Sequence, residues 1–221
     1  MNLALFDLDD TLLDGDITGL WNDWLIDRGW IDDAATHRAT FGAHMRAYGA
    51  GELDMEAHLR LLLAPLAGRA VTEVADEVEA CLDAVVMPRL FPAGRERLAW
   101  HSRQGHRTLI ISASTAQLVA PLARRLGVDG ALATALEVDH GGDTPRYTGR
   151  ATGTRTFREG KLAALDAWLA GRAVRRSWGY SDSRNDLALL EAVDHAHAIH
   201  PDPALAGIAR ARGWAMPDWR R

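Results

Sequence analysis

The first strand-like run of this chain, residues 1–6, is separated from the next, Arg107 to Ser112, by a stretch that reads as helix almost throughout. A lone strand leaves its backbone N–H and C=O groups unpaired, so it must find partners much later in the chain. What lies between is an insertion. Asp16 to Gly29 carries Ile17, Leu20, Trp21, Trp24 and Leu25 at helical spacing. Asp32 is placed to cap a second helix through Tyr48, and Gly49 to Gly51 breaks it. Asp54 to Leu66 shows a stripe of Leu59, Leu62, Leu63 and Leu66, and Thr72 to Val86 one of Val74, Val78, Leu82 and Val85. Pro88 and Pro92 close the region.

Beyond Phe91 the pattern changes. Gly94 to Arg103 is helical, Arg107 to Ser112 is a buried strand, and Thr115 to Leu126 is a helix closed by Gly127. Ala131 to His140 and Arg146 to Thr152 alternate around Gly141-Gly142, the pattern of a hairpin. Arg158 to Leu169, Asn185 to Ala192 and Asp202 to Arg212 read as helices, interleaved with strands at Arg176 to Tyr180 and His195 to Ile199. Alternating strands and helices predict an α/β fold with a doubly wound, Rossmann-like parallel sheet. The expected organisation is a core of residues 1–13 and 91–221 with a helical-bundle cap, 14–90, inserted after the first strand.

Composition limits the remaining classes. A chain of 221 residues with 48% hydrophobic content suits one such domain with an insertion. A net charge of -5 opposes nucleic-acid binding. No apolar run approaches the roughly 18 residues of a membrane span. The N-terminal run lacks a preceding basic region and is interrupted by Asp7, so it reads as a core strand rather than a signal peptide. Cys81 is the one cysteine, which rules out an internal disulfide and fits a cytoplasmic setting. Monomer and homodimer both remain open.

Ligands of open α/β sheets gather beyond the carboxyl ends of the strands. Four segments carry polar residues there: Asp7-Leu8-Asp9-Asp10-Thr11, Ser112-Ala113-Ser114, Lys161, and Ser181 through Asp186. On a continuing strand Asp7 and Asp9 share a face. Carboxylates that close repel unless a cation neutralises them, and hard divalent cations choose oxygen ligands. Taken singly, each segment has a plainer reading. Asp7 and Asp9 fit an acidic turn, Ser112 a strand-end hydroxyl, Lys161 a surface helix lysine, and Asp182 and Asp186 helix-capping acids. Together they offer carboxylates, hydroxyls and one ammonium, a set that suits a metal plus a phosphate.

This order and spacing resembles the haloacid dehalogenase superfamily of phosphatases. The helical stretch between the first two motifs resembles the cap of its phosphoserine-phosphatase-like branch. The resemblance implies a Mg²⁺-dependent phosphomonoester hydrolase that works through an aspartyl-phosphate. It assigns Asp7 as nucleophile and Asp9 as general acid and base, with the Asp9 backbone carbonyl on the metal. It assigns Ser112, with the Ala113 or Ser114 amide, and Lys161 to the phosphate. Asp7, Asp9, Asp182 and Asp186 form the implied metal site, Asp186 either through water or by holding Lys161. Ser183 and Arg184 depart from the glycine-rich loop common in phosphoserine phosphatases.

The insertion bears on the substrate, a small-molecule phosphomonoester. Asp16 stands where that branch typically has a glutamate for the substrate ammonium; it also reads as a helix N-cap. Gly51 to Arg60 resembles the stretch preceding the branch's carboxylate-binding arginine, yet Leu62 occupies the matching position and Arg60 lies on another side of the helix. An amine-bearing substrate without a carboxylate fits better, L-histidinol phosphate first, its imidazole stacking on Trp21, Trp24 or Tyr48. Phosphoserine, a phosphotransferase activity and a non-catalytic receiver-like phospho-acceptor module are the alternatives. His44 and His58 read as surface or packing residues, and His195, His197 and His200 lack the spacing and cysteine partners of a zinc site.

Overall fold

The computed structural model describes residues 1–220. Its strands are β1 (Asn2–Phe6), β2 (Arg107–Thr115), β3 (Gly130–Asp139), β4 (Arg146–Thr152), β5 (Arg176–Ser181) and β6 (His195–Ala198). They form one sheet in the order β4-β3-β2-β1-β5-β6, parallel except for β4. The helices are α1 (Ile17–Asp27), α2 (Ala34–Ala50), α3 (Met55–Leu63), α4 (Val71–Cys81), α5 (Pro92–Arg103), α6 (Ala116–Leu126), α7 (Glu159–Leu169), α8 (Leu187–Glu191) and α9 (Pro203–Arg212).

β1 sits between β2 and β5, where the winding of the sheet reverses. Phe6 lies opposite Ile110 on one side and Tyr180 on the other. Strand alternation sorts the apolar side chains onto two faces. Leu3, Leu5, Leu109 and Ile111 pack with Leu165 of α7 and Leu189 of α8. Ala4, Phe6 and Ile110 pack with Leu118 and Leu122 of α6, in a cluster that continues into Trp21, Leu59, Leu63 and Val78 of the helical segment. One continuous core thus binds the inserted helices to the sheet.

The chain enters and leaves that helical segment side by side. Asp14 N–H donates to Arg89 C=O and Phe91 N–H to Leu12 C=O, each at 2.9 Å. The β3–β4 hairpin is a second anchor: Gly68 N–H donates to Tyr147 C=O at 2.8 Å and Tyr147 N–H to Arg69 C=O at 3.0 Å. Gly149 permits this contact. It has a φ of +78°, and a Cβ there would stand 2.9 Å from the Ala67 Cβ.

Several element ends differ from expectation. Asp33, not Asp32, caps α2, accepting from Thr36 N–H at 3.0 Å. α3 stops at Leu63 and continues as a 3₁₀ turn, Ala64–Leu66, because Pro65 cannot donate to an α-helical ladder. α4 ends at Cys81, followed by a π-helical turn, Leu82–Val86, and a 3₁₀ turn around Pro88. β2 runs on to Thr115, so α6 begins one residue later than its periodicity indicates. The expected hairpin forms, but β3 also joins β2 in parallel, so it extends the main sheet. No helix of the described residues is long and apolar enough to cross a membrane.

Candidate active site

Asp7 directly follows β1, and its N–H extends the ladder to Tyr180 C=O at 2.9 Å. The chain then doubles back. Asp10 adopts a φ of +51°, and Leu8 C=O accepts from Leu12 and Leu13 N–H. This turn carries Asp9 to the start of α1, where its Oδ1 accepts from Ile17 N–H at 2.7 Å. A helix N-terminus is a favourable seat for a carboxylate. The other oxygen, Oδ2, accepts from Ser114 Oγ at 2.9 Å and Ser112 Oγ at 3.3 Å. Thr18 Oγ1, 3.0 Å from Ser114 Oγ, completes the support.

Lys161 lies behind Asp7. Its Nζ donates to Asp7 Oδ1 at 2.7 Å and to Asp186 Oδ2 at 2.6 Å, and Ser181 Oγ donates to that same Asp186 oxygen at 2.8 Å. Gly160 makes the placement possible. A Cβ there would fall 1.9 Å from the Arg155 carbonyl oxygen, so only glycine lets the chain turn tightly into α7 just before Lys161. Thr11 joins the first motif to the last. Its Oγ1 accepts from Asp182 N–H at 3.0 Å and lies 3.2 Å from Asp7 Oδ2 and 3.3 Å from Asp182 Oδ1. A hydroxyl has one proton, so it serves one of those carboxylates at a time.

The acids outnumber the ammonium. Burial pushes the Asp7 carboxyl up to about 7 despite Lys161 beside it, with Asp186 and Asp9 adding to the rise. Burial and Asp16 push Asp9 up to about 7. Burial, then Asp7 and Asp186, hold Asp182 well above the usual carboxylate range. Burial alone would push the Lys161 ammonium down, but Asp186 and Asp7 outweigh it and hold it above its ordinary value. This electrostatic deficit fits a divalent cation. Asp186 Oδ1 is also buried with no hydrogen-bond partner, an acceptor suited to a metal-held water. Among the described residues no group of three or more acidic, histidine or cysteine side chains is arranged as a full metal cage. Mg²⁺ needs none, because it binds through one or two carboxylates and keeps several waters.

The site opens into a cavity of about 240 Å³. Asp7, Asp9, Asp182, Ala113 and Ser114 reach it from the sheet, and Asp16, Thr18, Met45, Tyr48, Leu53, Met55, His58 and Leu62 from the helical segment. Three expectations need correcting. Trp21 does not line the cavity; it is 2% exposed and packs in the core cluster, where its helical stripe points. Trp24 is likewise elsewhere, donating to Glu77 at 2.8 Å. Ser112 is fully buried behind Asp9 and uses its hydroxyl on Asp9 and on the Ser114 N–H, so Ala113 and Ser114 are what this loop presents. Asp186 holds Lys161 from behind, one of the two roles expected of it. Tyr48 does line the cavity, and Asp16 both lines it and caps α1 through Thr18 N–H at 2.8 Å. Of the residues that build the site, Thr18 carries no sequence signal, Thr11 enters only as the end of the first motif, and His58 reads from sequence as a surface or packing residue. His58 had a visible signal, standing one helical turn before Leu62. His197 stacks on Tyr180 and His200 accepts from Trp219 N–H, both packing roles.

The family model of haloacid dehalogenase-like hydrolases matches residues 4–191. The chain belongs to the haloacid dehalogenase-like hydrolase family. It is 36% identical to a histidinol-phosphatase of Neisseria meningitidis serogroup C (strain 8013), with 99% of each chain covered. It is 33% identical to a phosphoserine phosphatase of Mycobacterium tuberculosis (strain ATCC 25618 / H37Rv), over 98% of this chain and 70% of that one. A crystal structure of a protein of unknown function from Bordetella pertussis Tohama I superposes with a TM-score of 0.89 at 38% identity, over 99% of this chain and 98% of that one. This haloacid dehalogenase-like protein is accordingly an enzyme of the phosphatase class, with its motifs gathered at the carboxyl edge of the sheet.

Proposed function

We propose that this phosphatase hydrolyses a small, amine-bearing phosphomonoester, L-histidinol phosphate first, in a Mg²⁺-dependent reaction through an aspartyl-phosphate on Asp7. Residues 14–90 serve as the cap over a core of residues 1–13 and 91–221. The carrying observation is the buried ammonium of Lys161 set 2.7 Å from Asp7 at the floor of a cavity that Asp9 also lines.

The Asp7 carboxylate attacks phosphorus, and the bond from phosphorus to the leaving oxygen breaks. Asp9 protonates that oxygen as it leaves. Asp9 then takes a proton from the water that attacks the aspartyl-phosphate, releasing phosphate and restoring Asp7. A carboxyl near 7 suits both tasks at neutral pH. Lys161 offsets the charge gathered on Asp7 and the phosphoryl group, and the Ala113 and Ser114 segment faces the phosphoryl oxygens. Asp7, Asp182 and the Asp9 carbonyl would hold Mg²⁺, which would supply further charge neutralisation between anionic nucleophile and anionic substrate.

The leaving-group side supports the substrate. Asp16 offers a carboxylate to an ammonium, and Leu62 stands where a carboxylate-binding arginine is expected. Arg184 is the one cationic side chain lining the cavity among the described residues, and it belongs to the loop after β5 rather than to the helical segment. A phosphoserine carboxylate therefore finds no bidentate partner on the cap. The histidinol-phosphatase name of a relative matched along both whole chains points the same way. Phosphate release from L-histidinol phosphate, L-phosphoserine and p-nitrophenyl phosphate, with Mg²⁺ or EDTA, tests the reading. Preference for L-histidinol phosphate and loss in EDTA are expected; preference for phosphoserine would overturn the substrate.

A further inference from the structure

The helical wall of the cavity is apolar at Met45, Leu53, Met55 and Leu62, and His58 interrupts it. His58 is 8% exposed. Its Nδ1 is tied back to His44 Nδ1 at 3.3 Å, and its ring lies against Phe41 with centroids 5.8 Å apart. An imidazole in an apolar wall is costly unless both nitrogens find partners. His44 satisfies one. Nε2, on the opposite side of the ring, makes no hydrogen bond to a described residue and is not fully buried, and His58 lines the cavity.

We infer that His58 is the specificity-determining residue of this site, its Nε2 hydrogen-bonding a neutral heteroaromatic nitrogen at the far end of the leaving group, with His44 as the positioning residue that fixes the ring. The inference rests on the phosphomonoesterase reading above. In the His44–His58 pair one Nδ1 must carry the proton, so Nε2 is either donor or acceptor according to tautomer. A neutral azole, with one N–H and one lone pair, matches either form. Burial, then His44, pushes His58 down to about 4, so it stays uncharged at neutral pH and offers nothing to a carboxylate.

The test is kcat and KM for the wild type, His58→Leu, His58→Gln and His44→Leu on L-histidinol phosphate and p-nitrophenyl phosphate. In His58→Leu the ratio of kcat/KM between the two esters is expected to fall about tenfold, carried by KM, as for loss of one hydrogen bond. His58→Gln, which restores a donor and an acceptor, recovers the ratio to within about threefold. His44→Leu shifts it the same way by a smaller factor, and decides the matter if His58→Leu does not fold. An unchanged ratio, or equal losses on both esters, overturns the assignment while a wild type active on L-histidinol phosphate leaves the proposed function standing. A wild type that turns over p-nitrophenyl phosphate but not L-histidinol phosphate overturns the substrate reading, and the azole partner with it.

Discussion

Lys161 and Asp186 are joined by a 2.6 Å ion pair in which both side chains are 2% exposed, and the same ammonium reaches Asp7 at 2.7 Å. Breaking a buried pair from one side leaves charge uncompensated and costs about 3–5 kcal/mol. Lys161→Met is expected to lower kcat by about 10²–10³, the range for losing one electrostatic group at a reacting centre. Lys161→Arg does not rescue it, because a planar guanidinium does not fit a slot shaped for a point charge. Asp186→Asn, which leaves the ammonium in place, costs a milder factor of about 10–100. Steady-state kinetics with a generic phosphoester measures all three.

The crowded carboxylates couple stability to pH and, on the proposed function, to Mg²⁺. Asp7 and Asp9 are raised from 3.8 to about 7. A carboxyl raised in the fold stabilises it while protonated; that contribution is complete below 3.8 and is lost as pH climbs through about 7. His58 and His101, pushed by burial to about 4 and about 3, act oppositely, losing their contribution as pH falls below the ordinary 6.5. The difference in Tm between Mg²⁺ and EDTA at each pH isolates the carboxylates. It is expected to be near zero at about pH 5 and to reach about 5–10 °C at about pH 7.5 with Mg²⁺ at about 100 times Kd. A difference that does not grow with pH contradicts the metal assignment. Differential scanning calorimetry supplies the values.

On the proposed function Asp16 serves two purposes, which one substitution separates. Asn caps a helix about as well as Asp, so Asp16→Asn is expected to change stability by under about 1 kcal/mol. It removes the charge offered to a substrate ammonium, so KM for L-histidinol phosphate rises about tenfold, as for loss of a charge-assisted hydrogen bond. Equal losses on an amine-free ester would show that Asp16 matters only as a cap.

Gly160 links a backbone constraint to the chemistry. Gly160→Ala sets a methyl against the Arg155 carbonyl oxygen, which is backbone and cannot swing away. The expected cost is about 1–3 kcal/mol or more in stability, with kcat falling as Lys161 is displaced. Thermal denaturation and kinetics on one preparation check both.

The sheet and the polar residues at its edge were legible because each rests on local signals. Apolar runs gave the strands, and the Asp7–Asp9 spacing with the later Lys161 and Asp182 gave the floor of the site. The cavity wall was not legible to the same degree. Trp21 and Tyr48 are both aromatic residues of inserted helices, and which one faces a core or a cavity depends on how α1 and α2 pack, a tertiary fact. His58 was read as packing for the same reason. Ser112 does not reach the cavity because the strand runs on to Thr115, which buries its hydroxyl. Gly160 carried no periodic signal, since its constraint comes from a carbonyl five residues earlier.

The most direct test is mass spectrometry of the enzyme quenched in acid during turnover of L-histidinol phosphate or p-nitrophenyl phosphate. An added phosphoryl mass on the peptide containing Asp7, absent in Asp7→Asn along with turnover, is predicted. A phosphoryl group on another residue, or full turnover by Asp7→Asn, would contradict the account.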